Sequence, residues 1–149
     1  MTMENIGLIN AAIYRNLCSI LNMKLQDTPI RGGQYEVMQV IAHNEGITQK
    51  EISQILLVNK STTAKAVKGL TSLGYVRKEQ IAEDKRSERL YLTEKGQLLK
   101  TRIMSIVLEI TNIMSRNLSS EEVEQVNYLL KTILDGLIEE KIRLSKADI

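Results

Sequence analysis

The sequence predicts a mainly α-helical chain of 149 residues with one two-stranded β-hairpin. Three observations predict it. Apolar residues recur at steps of three and four over most of the length, which is the spacing of one helix face. Between residues 75 and 92 the period changes to two, the mark of strands. Two Ser/Thr-x-x-Glu boxes, at Thr48–Glu51 and Ser119–Glu122, mark helix starts.

Residues 5–27 form the first predicted helix, with Ile6, Ile9, Ile13, Leu17, Ile20 and Leu21 on one stripe and Thr28-Pro29 ending it. A second helix follows Arg31-Gly32-Gly33, contains Tyr35, Val37, Met38, Val40 and Ile41, and stops at Gly46. The Thr48 box opens a short third helix whose buried side is Ile52, Ile55 and Leu56. Leu57-Val58 turns the chain, and Asn59 is a good N-cap for a fourth helix that reaches about Leu73 and closes at Gly74. Its apolar side is Thr63, Ala66, Val67, Leu70 and Leu73; its polar side is Lys60, Ser61, Thr62, Lys65 and Lys68. Residues 75–81 and 88–92 read as strands, with the polar residues 82–87 as a hairpin tip. Thr93 caps a fifth helix through Leu99, Ile103, Ile106, Val107, Ile110 and Met114. The last helix follows Ser119 and carries Val123, Val126, Leu130, Ile133, Leu134, Leu137 and Ile138.

Composition excludes several classes. Hydrophobic residues make up 43% and charged residues 26%, the balance of a soluble globular protein. No apolar run approaches the ~18 residues of a membrane span, and the N-terminus lacks the basic and apolar regions of a signal peptide. With no Trp and no Phe, the core is aliphatic. One Cys makes no internal disulfide, which fits a cytoplasmic location. One Cys and one His build no Cys/His zinc site, and nothing around His43 supports a hydrolytic base. No enzyme activity, cofactor, metal or membrane partner is therefore expected.

The net charge of +2 conceals an asymmetry: residues 59–89 hold 8 basic and 4 acidic side chains, net +4, whereas residues 119–149 hold 4 and 7, net −3. A local basic patch on a near-neutral chain suits a nucleic-acid footprint, although a solvated face has the same composition. Two short helices joined by a tight turn, the second with hydroxyls and lysines at its start, followed by a basic hairpin, make a winged helix-turn-helix pattern. A helix fits the major groove and its first turns reach base edges. A plain amphipathic helix with a polar outer face fits the helix pair alone.

The hairpin adds a sharper signal. Asp84-Lys85-Arg86-Ser87-Glu88-Arg89-Leu90-Tyr91-Leu92-Thr93-Glu94-Lys95-Gly96 resembles the D-x-R…L-x-L-T-x-x-G signature of the MarR family of bacterial transcription regulators. Leu57 to Val67 and Leu70 to Val76 are similar to that family's recognition helix and the approach to its wing. Gln34-Tyr35-Glu36-Val37-Met38 is similar to its second helix. Ala64 stands where a hydroxyl is common and could touch a thymine methyl; Lys68 stands where an acid is common. Gly69 inside a helix should cost roughly 1 kcal/mol against Ala.

The resemblance implies a winged helix-turn-helix that binds double-stranded DNA with a palindromic operator, usually as a repressor. It places DNA contacts at Lys60, Ser61, Thr62, Ala64, Lys65, Lys68, Asp84, Lys85 and Arg86. Asp84 and Arg86, two apart in extended backbone, point the same way, so the carboxylate can orient the guanidinium toward a narrow minor groove. An exposed ion pair without function is the plainer reading of the same two residues. The family's homodimer, with interlocking terminal helices, agrees with the broad apolar stripes here, which one small lobe cannot bury. The chain accordingly divides into an N-terminal dimerisation helix (1–30), a DNA-binding lobe (31–98) and C-terminal dimerisation helices (99–149) within one compact domain. A small-molecule effector, implied by the resemblance only, is expected near Ile13, Tyr14, Leu17, Tyr35 and Met38. The alternative is a helical protein-interaction module that keeps the fold without binding an operator. Cys18 lies only 16 residues before Gln34, too close for the sensor cysteine of some relatives, and reads as a buried, inert thiol. His43 reads as a helix-end residue, and the methionines as pliable filling for a core or pocket.

Overall fold

The computed structural model describes residues 5–147, with the side chains of Asp84 and Lys85 outside the description. Its elements are α1 (Ile6–Lys24), α2 (Gln34–His43), β1 (Ile47–Thr48), α3 (Gln49–Leu56), α4 (Lys60–Ser72), β2 (Val76–Ile81), β3 (Asp84–Leu92), α5 (Glu94–Ser115) and α6 (Ser120–Ala147). The chain divides into two compact units, Met1–Glu109 and Ile110–Ile149.

In the first unit, α2, α3 and α4 pack around the most deeply buried side chains: Met38, Ile41, Ile52, Thr63, Val67 and Leu70, with Val76 and Leu90 from the sheet. Burying each such aliphatic chain is worth about 1.5–3 kcal/mol. Thr63 is the polar member of this set, and its hydroxyl is satisfied by Ser53 Oγ at 2.7 Å, a bond that ties α3 to α4. A Cβ on Gly69 would meet the end of the Gln34 side chain, a flexible group that can move aside.

Local signals fix the helix ends. Thr48 Oγ1 accepts from the Glu51 N–H at 3.3 Å, and Glu51 Oε2 accepts from the Thr48 N–H at 2.8 Å. α3 ends on Leu57, which takes the left-handed conformation at φ 56° that favours glycine. α4 closes through Gly74 at φ 79°, where Gly74 N donates to Thr71 O and Tyr75 N to Leu70 O, a Schellman motif.

Three sequence expectations are corrected. α1 ends at Lys24, not at residue 27, and Leu25 and Thr28 then turn inward. Ile55 is exposed, because the inward stripe of α3 runs through Ile52, Ser53 and Leu56 and leaves Ile55 a quarter-turn outside. The hairpin carries a third strand: β1 pairs antiparallel with β3, Ile47 opposite Leu90, giving the order β1-β3-β2. Two residues are too few to show a period of two.

α5 begins where the wing ends. Thr93 caps it, with its Oγ1 accepting from Gly96 N at 3.1 Å and its own N–H donating to Tyr75 O at 3.0 Å. A Cβ on Gly96 would stand 2.1 Å from Tyr75 O, so only glycine permits this approach. Arg102 anchors the end of α1 through a bidentate pair with Asp27, Nη1 to Oδ2 at 2.7 Å and Nη2 to Oδ1 at 2.5 Å. In the second unit, α6 opens with the expected Ser119–Glu122 capping box and has no buried residue among those described. Its stripe of Leu130, Ile133, Leu134 and Leu137 is exposed, as are Ile6, Leu8, Ile9 and Ile13 of α1.

Candidate nucleic-acid interface

The site is built on α4. Packing buries Thr63, Ala66, Val67 and Leu70, so the opposite side of the same helix must face outward. Lys60, Ser61, Thr62, Ala64, Lys65 and Lys68 are all exposed there. Ser61, Lys65 and Lys68 lie at the centre of that face, and Lys60 and Thr62 at its edges. None of the three lysines has an acidic partner among the described residues. The face therefore presents uncompensated positive charge.

Asn59 organises the start of this helix. Its Oδ1 accepts from Thr62 N at 2.8 Å, from Thr62 Oγ1 at 2.7 Å and from Ser61 Oγ at 2.8 Å. Sequence reading found Asn59 only as an N-cap; its hold on both hydroxyls was invisible. Arg31 was also passed over. It borders a cleft beside α4 with Thr62 and Lys65, and its Nη1 donates to the carbonyls of Thr28 and Ile30 at 2.7 and 2.8 Å.

The wing differs from its expected outline. The turn is Ala82-Glu83, and residues 84–87 belong to β3 instead of the hairpin tip. Gln80 pairs with Glu88 while Ile81 pairs with Asp84, so the register shifts and Lys85, Arg86 and Ser87 are extra length in β3. Such a bulge bends and twists a strand and re-aims its side chains. Arg86 is exposed on it. The expected Asp84–Arg86 pair, and Lys85, fall on side chains outside the described ones. Nearer the base of the wing, charges are paired internally: Arg77 bonds Glu79 and stacks 4.6 Å from the Tyr91 ring, and Lys78 meets Glu88 at 3.3 Å. Arg89 Nη1 donates to Gly46 O at 3.0 Å, which holds β3 to the turn before β1.

The residues expected near an effector are divided. Tyr14 and Tyr35 border one small cleft with Cys18, Leu21 and Glu36. Tyr35 Oη donates to Glu36 Oε1 at 3.2 Å, and burial first, then the Glu36 charge, pushes its phenol well above the usual range. Tyr14 is also raised, chiefly by a hydrogen bond with Cys18. Cys18 is thus half-buried beside a phenol, not buried and isolated. Leu17 is half-buried and Ile13 is exposed. Met38 is only 1% exposed and lies beside a separate narrow crevice with Ala42, His43 and Ile103. His43 ends its helix as expected, Nδ1 lying 2.8 Å from Gln39 O. Among the described residues no group of three or more His, Cys, Asp or Glu could hold a metal ion, and no helix is long and apolar enough to cross a membrane.

Comparison with known proteins agrees with this geometry. A family model described as MarR family matches residues 27–87, the span from the end of α1 to the wing. The uncharacterized HTH-type transcriptional regulator YybA of Bacillus subtilis is 30% identical over 121 residues, 81% of either chain. A MarR protein from Peptoclostridium difficile superposes with a TM-score of 0.89 at 29% identity, over 97% of this chain and 94% of the other. A mutant MarR from E. coli, complexed with operator DNA, matches with a TM-score of 0.78 at 25% identity, over 87% and 93%. With its architecture, its wing signature and a relative of this similarity in agreement, the chain belongs to the MarR family of transcription regulators.

Proposed function

We propose that the chain binds double-stranded operator DNA as a homodimer and acts as a ligand-responsive transcriptional repressor in the cytoplasm. The observation that carries this reading is the exposed face of α4: Lys60, Lys65 and Lys68, without acidic partners among the described residues, on a helix whose other side is locked into the core. Three unpaired cations on one helix face match the phosphates that flank a major groove. The likeness to a MarR protein complexed with operator DNA supports the same placement. Arg86, on the bulged strand of the wing, reaches the adjacent minor groove. Residues 31–98 form the DNA-binding lobe, and the flanking segments 1–30 and 99–149 form the dimer, with the exposed apolar stripes of α1 and α6 covered by a second copy. The cleft bordered by Tyr14 and Tyr35 receives the effector.

Gel shift with genomic fragments at several salt concentrations tests this, with Lys65→Ala beside the wild type. If Lys65 reads a base, the substitution weakens operator binding by about 1–3 kcal/mol. If it meets only phosphate, binding to all sequences falls alike and the salt slope drops by about one. Wild-type protein that binds no fragment selectively would favour a protein-interaction module instead.

A further inference from the structure

We infer that the cleft between α1 and the start of α2 is built for a cation: it takes a small organic ammonium, which Glu36 pairs and the Tyr14 and Tyr35 rings flank. The inference rests on this cleft being the effector site, and names the charge of what it receives. Tyr14, Cys18, Leu21 and Asn22 of α1 line it with Tyr35 and Glu36 of α2. Glu36 is the one charged side chain among them. Its carboxylate is half-buried, and no described Lys or Arg lies within ion-pair distance of it. The cations nearest in sequence are engaged elsewhere. Arg31 Nη1 is held by the carbonyls of Thr28 and Ile30. Its side chain borders the cleft beside α4, which Glu36 also touches without pairing to it. Arg15 lies along the outer groove of α1.

A carboxylate taken partly out of water without a counter-charge is costly, and a ligand that brings the counter-charge offsets that cost. The neighbours hold the carboxylate ready. Tyr35 Oη donates to Glu36 Oε1 at 3.2 Å, which leaves Oε2 for a ligand. Burial and then the Glu36 charge keep the Tyr35 phenol protonated, so it stays a donor. Neutral phenol rings present a negative face that attracts a cation within about 6 Å of the ring centre. An anion here would meet the Glu36 charge with no lining cation to offset it. Size narrows the class further. The cleft holds about 70 Å³ of free space, room for an ammonium head alone. Pockets for whole drug-sized ligands run to about 300–1,000 Å³. The body of the ligand lies in the wider groove along α1, which shares Tyr14, Cys18 and Asn22 with the cleft.

Isothermal titration calorimetry on the full chain tests this with two probes of similar shape and opposite charge, 2-phenylethylammonium and 3-phenylpropionate. The wild type binds the ammonium about tenfold more tightly than the carboxylate, or better. Glu36→Gln keeps the side chain's shape and an acceptor for Tyr35, yet loses that preference. Tyr14→Leu, at an exposed position, weakens binding of the ammonium and not of the carboxylate. Circular dichroism checks that both variants keep the helical fold. The inference is overturned if the wild type prefers the carboxylate or binds neither probe, or if Glu36→Gln keeps the wild-type affinity for the ammonium. The effector reading fails separately. An ammonium that binds through Glu36 but leaves gel-shift retention of genomic fragments unchanged supports the cation site and contradicts the effector role.

Discussion

At the scale of single residues, the chain shows why a signature can be legible before its reason is. Gly96 stands out in the sequence as the last position of the Thr93-Glu94-Lys95-Gly96 run. Only the structure shows the cause, a Tyr75 carbonyl that occupies the place of any Cβ. Gly96→Ala should therefore destabilise the chain by about 1–3 kcal/mol, as overpacking does. Urea denaturation would measure it, and an unchanged midpoint would contradict the close approach. Asn59 is the opposite case. Its N-cap role was visible from Asn59 preceding a helical pattern, but three bonds converging on one oxygen depend on rotamers that no spacing encodes. Met38 is a third case: periodicity puts it on the inner side of α2, and the structure buries it there, but periodicity does not say whether core or cleft lies there. Arg86 carries the sharpest functional expectation. It is exposed on β3, so Arg86→Ala should leave Tm almost unchanged yet weaken operator binding at least tenfold, or ~1.4 kcal/mol. Wild-type affinity in that variant would reduce the wing to a structural element.

Element ends are legible in a sequence where they are chemically marked and obscure where they are not. The Thr48 and Ser119 boxes, the Asn59 cap and the Gly74 terminator all stand where the sequence put them. α1 stops three residues short of the predicted residue 27, because Pro29 marks the latest possible stop and the real one is a turn at Leu25. The wing's tip is shorter than its polar residues suggest, because residues 84–87 are polar yet continue β3. The boxes also make a prediction about pH. Glu51 is held below the usual carboxylate range by the Thr48 N–H first and the Thr48 hydroxyl next. Asp27 is held low chiefly by its bond with Arg102. A depressed folded-state pKa means that the stabilisation is complete above the unfolded-state value and is lost as pH falls through the folded one. Stability should thus decline below about pH 4.5, where ordinary carboxylates protonate. Glu51→Gln should shallow that decline while leaving its shape otherwise intact. A wild-type acid limb in this variant would show that the capping carboxylate adds nothing.

At the scale of the whole molecule, much of the apolar surface of α1 and α6 is left exposed, whereas the stripe of α5 through Leu99, Ile103, Ile106 and Ile110 is buried. Tyr128 is 71% exposed, Ile6 64% and Leu137 64%, and all lie on the long terminal helices α1 and α6. On the function proposed above, a second copy covers these stripes, as a two-fold operator would require. Removing residues 120–149 should abolish the dimer in sedimentation velocity and with it tight operator binding, since two half-sites could no longer be held together. A truncated chain that stayed dimeric would place the interface elsewhere. The direction of the stripes was legible in the sequence; whether they close within one chain or between two was not, because periodicity gives a face and not its occupant. On the function proposed above, α4 and the wing of two copies read one duplex. Selection of genomic fragments by the purified full-length protein tests it most directly. The expected result is an enriched inverted repeat with half-sites about 10 base pairs apart, one helical turn. Enrichment of no sequence, or of a site without two-fold symmetry, would contradict it.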